Sequence, residues 1–229
     1  DPAGETVPLT IPPHSTGEVD IPLVLSNVKP WSPDNPDLYT LSVEVWDAAG
    51  GDHSKNPAHL LDNRSIRVGV RTVEITEKGL VLNGSLFPEK LIGGNRHQDF
   101  ARLGNAVPNN LQWQDAVKLR KAGMRVIRSA HYPQDPAFMD ACDRLGLFVI
   151  VATPGWQFWG KGPFADRVYD DIRQMVRRDR NHPSVMMWEP ILNETHYPAD
   201  FAKKAHDLVH EEYPYKGCYT ACDAVVQGN

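Results

Sequence analysis

Four short polar runs hold most of the side chains in this chain that could do chemistry. They are Asn95-Arg96-His97-Gln98-Asp99, Arg128-Ser129-Ala130-His131-Tyr132, Thr153-Pro154-Gly155-Trp156 and Glu189-Pro190-Ile191-Leu192-Asn193-Glu194. Asn, Asp, His and Arg pair with hydroxyls, and indole rings stack on apolar C–H faces, so the set suits a carbohydrate. Cleaving a glycosidic bond needs a carboxyl group that gives a proton to the leaving oxygen and a second carboxylate opposite it. Glu194 is the candidate donor. Asn193 beside it is placed to bond the hydroxyl next to the anomeric carbon.

These runs fall at regular places in an alternating pattern. Lys90 to Gly94, Arg125 to Arg128, Leu147 to Ala152 and Val185 to Trp188 read as buried strands. Asn110 to Ala122 reads as a helix with Trp113, Ala116 and Val117 on one face. Asp135-Pro136 is an N-cap followed by proline at the first helical position, and opens a helix with Phe138, Met139, Cys142 and Leu145 inward. Asp166 to Arg178 and Pro198 to Glu211 are two more. Gly217 to Ala221 begins a fifth strand. Four βα units and the start of a fifth make about half of a (β/α)8 TIM barrel, whose function gathers at the C-terminal ends of its strands. Each polar run follows one strand, so all four face one mouth. A complete doubly wound sheet is the alternative, but Gly93-Gly94-Asn95-Arg96-His97 is not the glycine-rich phosphate loop that fold would carry.

Residues 1–75 have a different grammar and read as all-β. Val19, Ile21, Leu23 and Leu25 alternate, as do Tyr39, Leu41, Val43 and Val45, and then Ile66, Val68 and Val70. Turn-rich segments, Pro30 to Pro36 and Ala48 to Pro57, separate them. A small immunoglobulin-like sandwich is expected over 1–75, and the N-terminal half of the barrel over 76–229. The barrel is entered through a hairpin, Leu80-Val81-Leu82, Asn83-Gly84, Leu86-Phe87.

Composition narrows the function classes. The net charge of −5 leaves no basic excess for nucleic acid. No apolar run is long enough to span a membrane. Cys142, Cys218 and Cys222 form neither a CxxC pair nor an even framework, so they read as idle thiols, and no zinc-type cluster is seen. No cofactor or metal is expected. The chain starts without an initiator Met or a signal sequence and reads as an internal piece, so its cellular location is open.

With these residues in view, the chain resembles glycoside hydrolase family 2, the β-galactosidases, β-glucuronidases and β-mannosidases. Pro30-Trp31-Ser32-Pro33-Asp34-Asn35-Pro36-Asp37-Leu38-Tyr39 is similar to that family's immunoglobulin-like domain. Gly69-Val70-Arg71 is similar to its link into the barrel, Leu82-Asn83-Gly84 and Gly94-Asn95-Arg96-His97 to the barrel's first segments, and His131-Tyr132-Pro133 to a signature at strand two. Arg178-Asp179-Arg180-Asn181-His182-Pro183-Ser184, then Trp188 and Asn193-Glu194, resemble its acid/base signature. The resemblance implies that Glu194 is the acid/base, that Asn193 contacts the 2-hydroxyl, and that His97, His131 and Asp99 line a sugar pocket. Arg96, in the same run, is a further sugar-binding candidate, and an ion pair that shapes the loop is the alternative for both Asp99 and Arg96.

Three departures stand out. Thr153 occupies a region where the family places a Glu. Trp188 to Asn193 is one residue longer than usual, which makes Glu189 a candidate pocket carboxylate. Arg125 stands where the family often has Asn. The family's nucleophile follows its seventh strand, so the chain alone is expected to be inactive. Its open edge is expected to associate, for instance as a homo-oligomer. A non-catalytic carbohydrate-binding protein, and a metal-dependent hydrolase using His97, His131 and Glu194, are the other readings.

Overall fold

The computed structural model describes residues 4–47 and 59–221; the turn read over Ala48 to Pro57, and Cys222, lie outside them. The described residues fall into two compact units. One lies within Asp1–Lys29 and Thr40–Ile66, the other within Pro30–Tyr39 and Arg67–Asn229.

In the first unit, β1 (Tyr39–Trp46) pairs with β2 (Leu60–Val68). The alternation over Val19 to Leu25, expected to make a strand, lies in irregular backbone with its apolar side chains exposed. Period-two alternation shows which face a strand would bury, but pairing requires a neighbour at the right register.

In the second unit, β3 (Val73–Thr76), β4 (Gly79–Leu82) and β5 (Ser85–Leu86) form an antiparallel meander. The β4–β5 turn is Asn83-Gly84, both at positive φ, as a two-residue hairpin loop demands. A parallel sheet follows, with β6 (Gly93–Arg96), β7 (Val126–Ser129), β8 (Phe148–Ala152) and β9 (Val185–Glu189) in that spatial order. Helices α1 (Asn109–Lys121), α2 (Pro136–Leu145) and α3 (Phe164–Asp179) connect them, and α4 (Ala199–Glu212) follows β9. After α4 the backbone returns beside β9. Trp188 N–H donates to Tyr219 and Ala221 N–H donates to Trp188, a parallel bridge where a fifth strand was expected.

The core lies between the sheet and its helices. In α3, Val168, Ile172, Met175, Val176 and Asp179 recur at helical spacing and are buried. Phe201, Ala205, Leu208 and Val209 do the same in α4. They meet Leu147, Val149 and Val151 from the sheet. Asp135 caps α2 by accepting the Ala137 N–H, with Pro136 behind it, as the sequence indicated.

A second apolar cluster closes the opposite end of the sheet. Trp31, Val73 and Leu82 pack on Phe148 and Met186, near the N-terminal ends of β8 and β9. Trp31 is fully buried and its indole N–H donates to the Asp143 carbonyl at 2.7 Å. Gly69 has no alternative there: a Cβ would lie 2.5 Å from Pro183. That explains the Gly69-Val70-Arg71 run, since the Arg71 guanidinium then donates to the Pro183 and Val185 carbonyls. With one end plugged, the C-terminal ends of β6–β9 remain the open end.

The Arg178–Ser184 run is a helix-to-strand turn held from within. Arg178 chelates the buried Asp179 at 2.7 Å through both nitrogens. His182 Nδ1 lies 2.6 Å from Asp143, whose other oxygen accepts the Ser184 N–H. Burial pushes the His182 pKa down, but the hydrogen bond and charge of Asp143 prevail and hold it above the usual histidine value. Cys142 and Cys218 are buried free thiols; burial pushes Cys142 well up and Cys218 to about 11, so neither offers a thiolate at neutral pH.

Candidate active site

A cavity of about 530 Å³ opens at the C-terminal strand ends, lined by Asn95, Arg128, His131, Ile150, Glu189, Asn193, Glu194 and Ala221. Strand alternation decides which side chains reach it. Asn95, Arg128 and Ile150 occupy paired positions on β6, β7 and β8, so they point to one face.

Arg128 is the centre of the wall. Its guanidinium grips Glu189 through two nitrogens, with Nε 2.6 Å from Oε2. It also donates to Asn193 Oδ1 at 2.9 Å and to Asn95 Oδ1 at 3.3 Å. Glu189 is only 3% exposed, so this countercharge is what permits its burial.

The acid/base candidate sits on a bent segment. Pro190 offers no N–H and ends the ladder of β9. Ile191 and Leu192 then turn inward and are buried. Asn193 is caught by the loop after β8: its N–H donates to Gly155, and its carbonyl accepts from Gln157 at 3.0 Å. Gly155 must be glycine, because a Cβ would lie 2.5 Å from Leu192. Glu194 itself has φ of +51°, a left-handed conformation costly for a residue with a Cβ, which these flanking bonds enforce. Two donors from the same loop meet its Oε2: Trp156 Nε1–H at 3.0 Å and Gln157 Nε2–H at 2.9 Å.

His131 lies beside this pair, its ring stacked on Trp156 at 6.2 Å between centroids and edge-on to His97 at 5.3 Å. Its Nδ1 is buried with no hydrogen-bond partner among the described residues. Burial, then the charges of Arg128 and His97, lower its pKa below the ordinary histidine value against the pull of Glu189 and Glu194.

The structure therefore brings Glu194, Asn193 and His131 together on one cavity, with His97 against the outer edge of His131. Arg96 goes elsewhere. It follows Asn95 on β6 and so points to the opposite face, where it bonds Asp115, Gln112 and Gln134 and lies 4.0 Å over the Phe138 ring. It pins α1 and α2 to the sheet instead of meeting a sugar. Asp99 is exposed in the loop after β6, with the Asn105 amide facing its carboxylate. Thr153 is buried beneath the site, its N–H bonded to the Glu189 carbonyl.

Two family models match the chain. "Glycosyl hydrolases family 2" covers residues 4–71, and "Glycosyl hydrolases family 2, TIM barrel domain" covers 73–211. The chain belongs to glycosyl hydrolases family 2. A β-galactosidase of Thermoanaerobacter pseudethanolicus is 37% identical over 189 residues, covering 82% of this chain and 24% of that protein. Among solved structures, a β-glycosidase from Bacteroides vulgatus superposes with a TM-score of 0.69 at 29% identity, over 84% of this chain and 24% of that one. A β-glucuronidase of Parabacteroides merdae does so with 0.74 at 26% identity, over 88% and 25%. The chain spans about a quarter of the length of each of these relatives. The parallel sheet with flanking helices is accordingly part of the family's barrel, and the relatives include both galactosidases and glucuronidases.

Sequence reasoning named Arg128 only in passing and gave it no role. Its role depends on strand register, which sequence does not display: Arg128 pairs with Ile150 on β8, and Glu189 with Ala152 two residues further on. The metal-dependent alternative finds no support in the donor geometry. Among the described residues, the side chains that converge as potential ligands are Asp140, Asp143 and His182, on the helix side and away from the cavity.

Proposed function

We propose that this chain carries the acid/base half of the active site of a retaining glycoside hydrolase that removes terminal non-reducing β-linked sugars, with a β-galactoside as substrate. The observation that carries the reading is the placement of Glu194. It stands at the cavity wall beside Asn193, fixed through Oε2 by Trp156 and Gln157.

In the first step Glu194 gives its proton to the glycosidic oxygen as the C1–O bond breaks, and the bonding pair stays on that oxygen. A second carboxylate, about 5–5.5 Å from the first in retaining enzymes, takes C1. In the second step Glu194 takes a proton from water as the water oxygen displaces that carboxylate. Glu189 is unsuited to be the second carboxylate, because both its oxygens are held by Arg128. The chain alone is therefore expected to turn over no substrate.

The relatives named as β-galactosidases support the galactoside reading.

The test uses the protein that contains this chain, assayed on aryl β-galactosides, β-glucuronides and β-mannosides. Preference for the galactoside is the expected result. Glu194→Gln should slow poor leaving groups by about 10²–10⁴-fold and activated aryl groups far less, the signature of a lost general acid. Equal losses on both would sink the acid role. Glycan binding with no hydrolysis would point to a binding protein instead.

A further inference from the structure

We propose that Trp156 and Phe158, on the loop after β8, form the leaving-group subsite of this active site and receive a moiety with a flat apolar face. The inference rests on the glycosidase reading above and extends it to the other side of the scissile bond.

The first argument is one of reach. A general acid must come within about 2.6–3.2 Å of the oxygen it protonates. Whatever is attached to that oxygen on the departing side must then lie over the residues that surround the acid. Trp156 and Gln157 are among those residues around Glu194, each donating to its Oε2.

The second argument is one of surface. Trp156 is 56% exposed and Phe158 is 64% exposed, although both are large and apolar. Neither is loose. His131 stacks on Trp156, and Phe158 meets the edge of Phe164 at 5.4 Å. The backbone between them is tied to Asn193 through Gly155 and Gln157, with a parallel bridge between Trp156 and Asn193. Two exposed rings held on a rigid loop, one of them bonded to the proton donor, make a platform for stacking. Aryl groups and the C–H faces of a second sugar share the chemistry it would take.

The third argument is one of separation. Asn95, Arg128, Glu189 and Asn193 crowd the inner wall of the cavity with hydrogen-bonding groups. That wall suits the hydroxyls of the sugar that stays. The aromatic loop suits the part that leaves.

The experiment compares phenyl and hexafluoroisopropyl β-glycosides of the sugar the full protein cleaves; their leaving oxygens are similarly basic, but only one has a flat face. A β-linked disaccharide is the third arm. Phe158→Ala is expected to lower kcat/KM on the phenyl glycoside about tenfold more than on the hexafluoroisopropyl one. Phe158→Leu, which keeps apolar bulk without a flat ring, should show the same bias and guards against a folding defect. Trp156→Phe, which keeps a ring but loses the N–H, should instead lose activity on all three. A matching bias on the disaccharide would identify a sugar face as the natural occupant, and its absence an aryl one. Equal losses on phenyl and hexafluoroisopropyl substrates would overturn the subsite while leaving the glycosidase reading intact. A wild-type protein that cleaves no glycoside would overturn both.

Discussion

Arg128 and Glu189 face each other across β8, joined by two hydrogen bonds, with the Arg128 Nε 2.6 Å from Oε2. The strand between them contributes Ile150, an apolar side chain that cannot satisfy either charge. Each ion therefore depends on the other. Glu189→Gln would leave the part-buried Arg128 guanidinium without its countercharge. Losing one partner of a buried pair costs about 3–5 kcal/mol, and the 23% exposure of Arg128 moves the expectation to the lower end, about 3 kcal/mol. Denaturant unfolding of the variant measures it. Arg128→Gln combined with Glu189→Gln should cost less than the sum of the single changes by about 1–3 kcal/mol. Strict additivity would mean that the two side chains do not depend on each other.

Arg128 also sets the orientation of Asn193. Its Nη2–H bonds Oδ1 at 2.9 Å, which occupies the amide oxygen and leaves the Asn193 amide nitrogen as the donor for a ligand. On the proposed reaction that nitrogen meets the 2-hydroxyl of the sugar. Asn193→Asp keeps an oxygen for Arg128 but loses the donor. It should lower kcat/KM on an ordinary glycoside by about 10-fold, the worth of one hydrogen bond. On the 2-deoxy analogue, which lacks the partner, the same change should have little effect. A similar loss on both substrates would show that the effect does not run through the 2-hydroxyl.

Most of the barrel segment was legible because its signals are local. Period-3.6 apolar faces located α1 to α4, and Asp135-Pro136 marked the start of α2. The positions of Glu194, Asn193 and His131 followed from one rule, that strand ends in this fold share a mouth. Arg96 shows where that rule fails. It lies next to Asn95 and before His97, but one residue of phase sends its side chain to the helices. Phase at the end of a four-residue strand is settled by pairing with β7, which the sequence does not display. The Val19–Leu25 alternation marks the same boundary from the other side, since its period is present but it joins no sheet among the described residues. Glu189 escaped a firm assignment because its meaning depends on Arg128, 61 residues away.

Two histidines should tilt the pH dependence of stability in opposite directions. The pKa of His182 is raised above its ordinary value of 6.5: burial lowers it, but Asp143 outweighs burial. The folded state binds that proton more tightly than the unfolded chain, so its stabilisation is complete below the unfolded pKa. It is lost as pH rises from about 6.5 through the higher folded value. His131 is the reverse. Burial, with Arg128 and His97, lowers its pKa below 6.5. The unfolded chain then binds the proton more readily, so stability falls as pH drops through about 6.5 toward the lower folded value. Thermal unfolding measured across this range should show a maximum, with His182 contributing to the alkaline limb and His131, together with the burial-lowered His210, to the acid limb. His182→Gln should flatten the alkaline limb and lower the maximum, because the Asp143 bond to the turn is lost with it. His131→Asn should flatten the acid limb alone. A variant that moved the limb assigned to the other ring would show that the charges around Asp143 and Arg128 are not arranged as described.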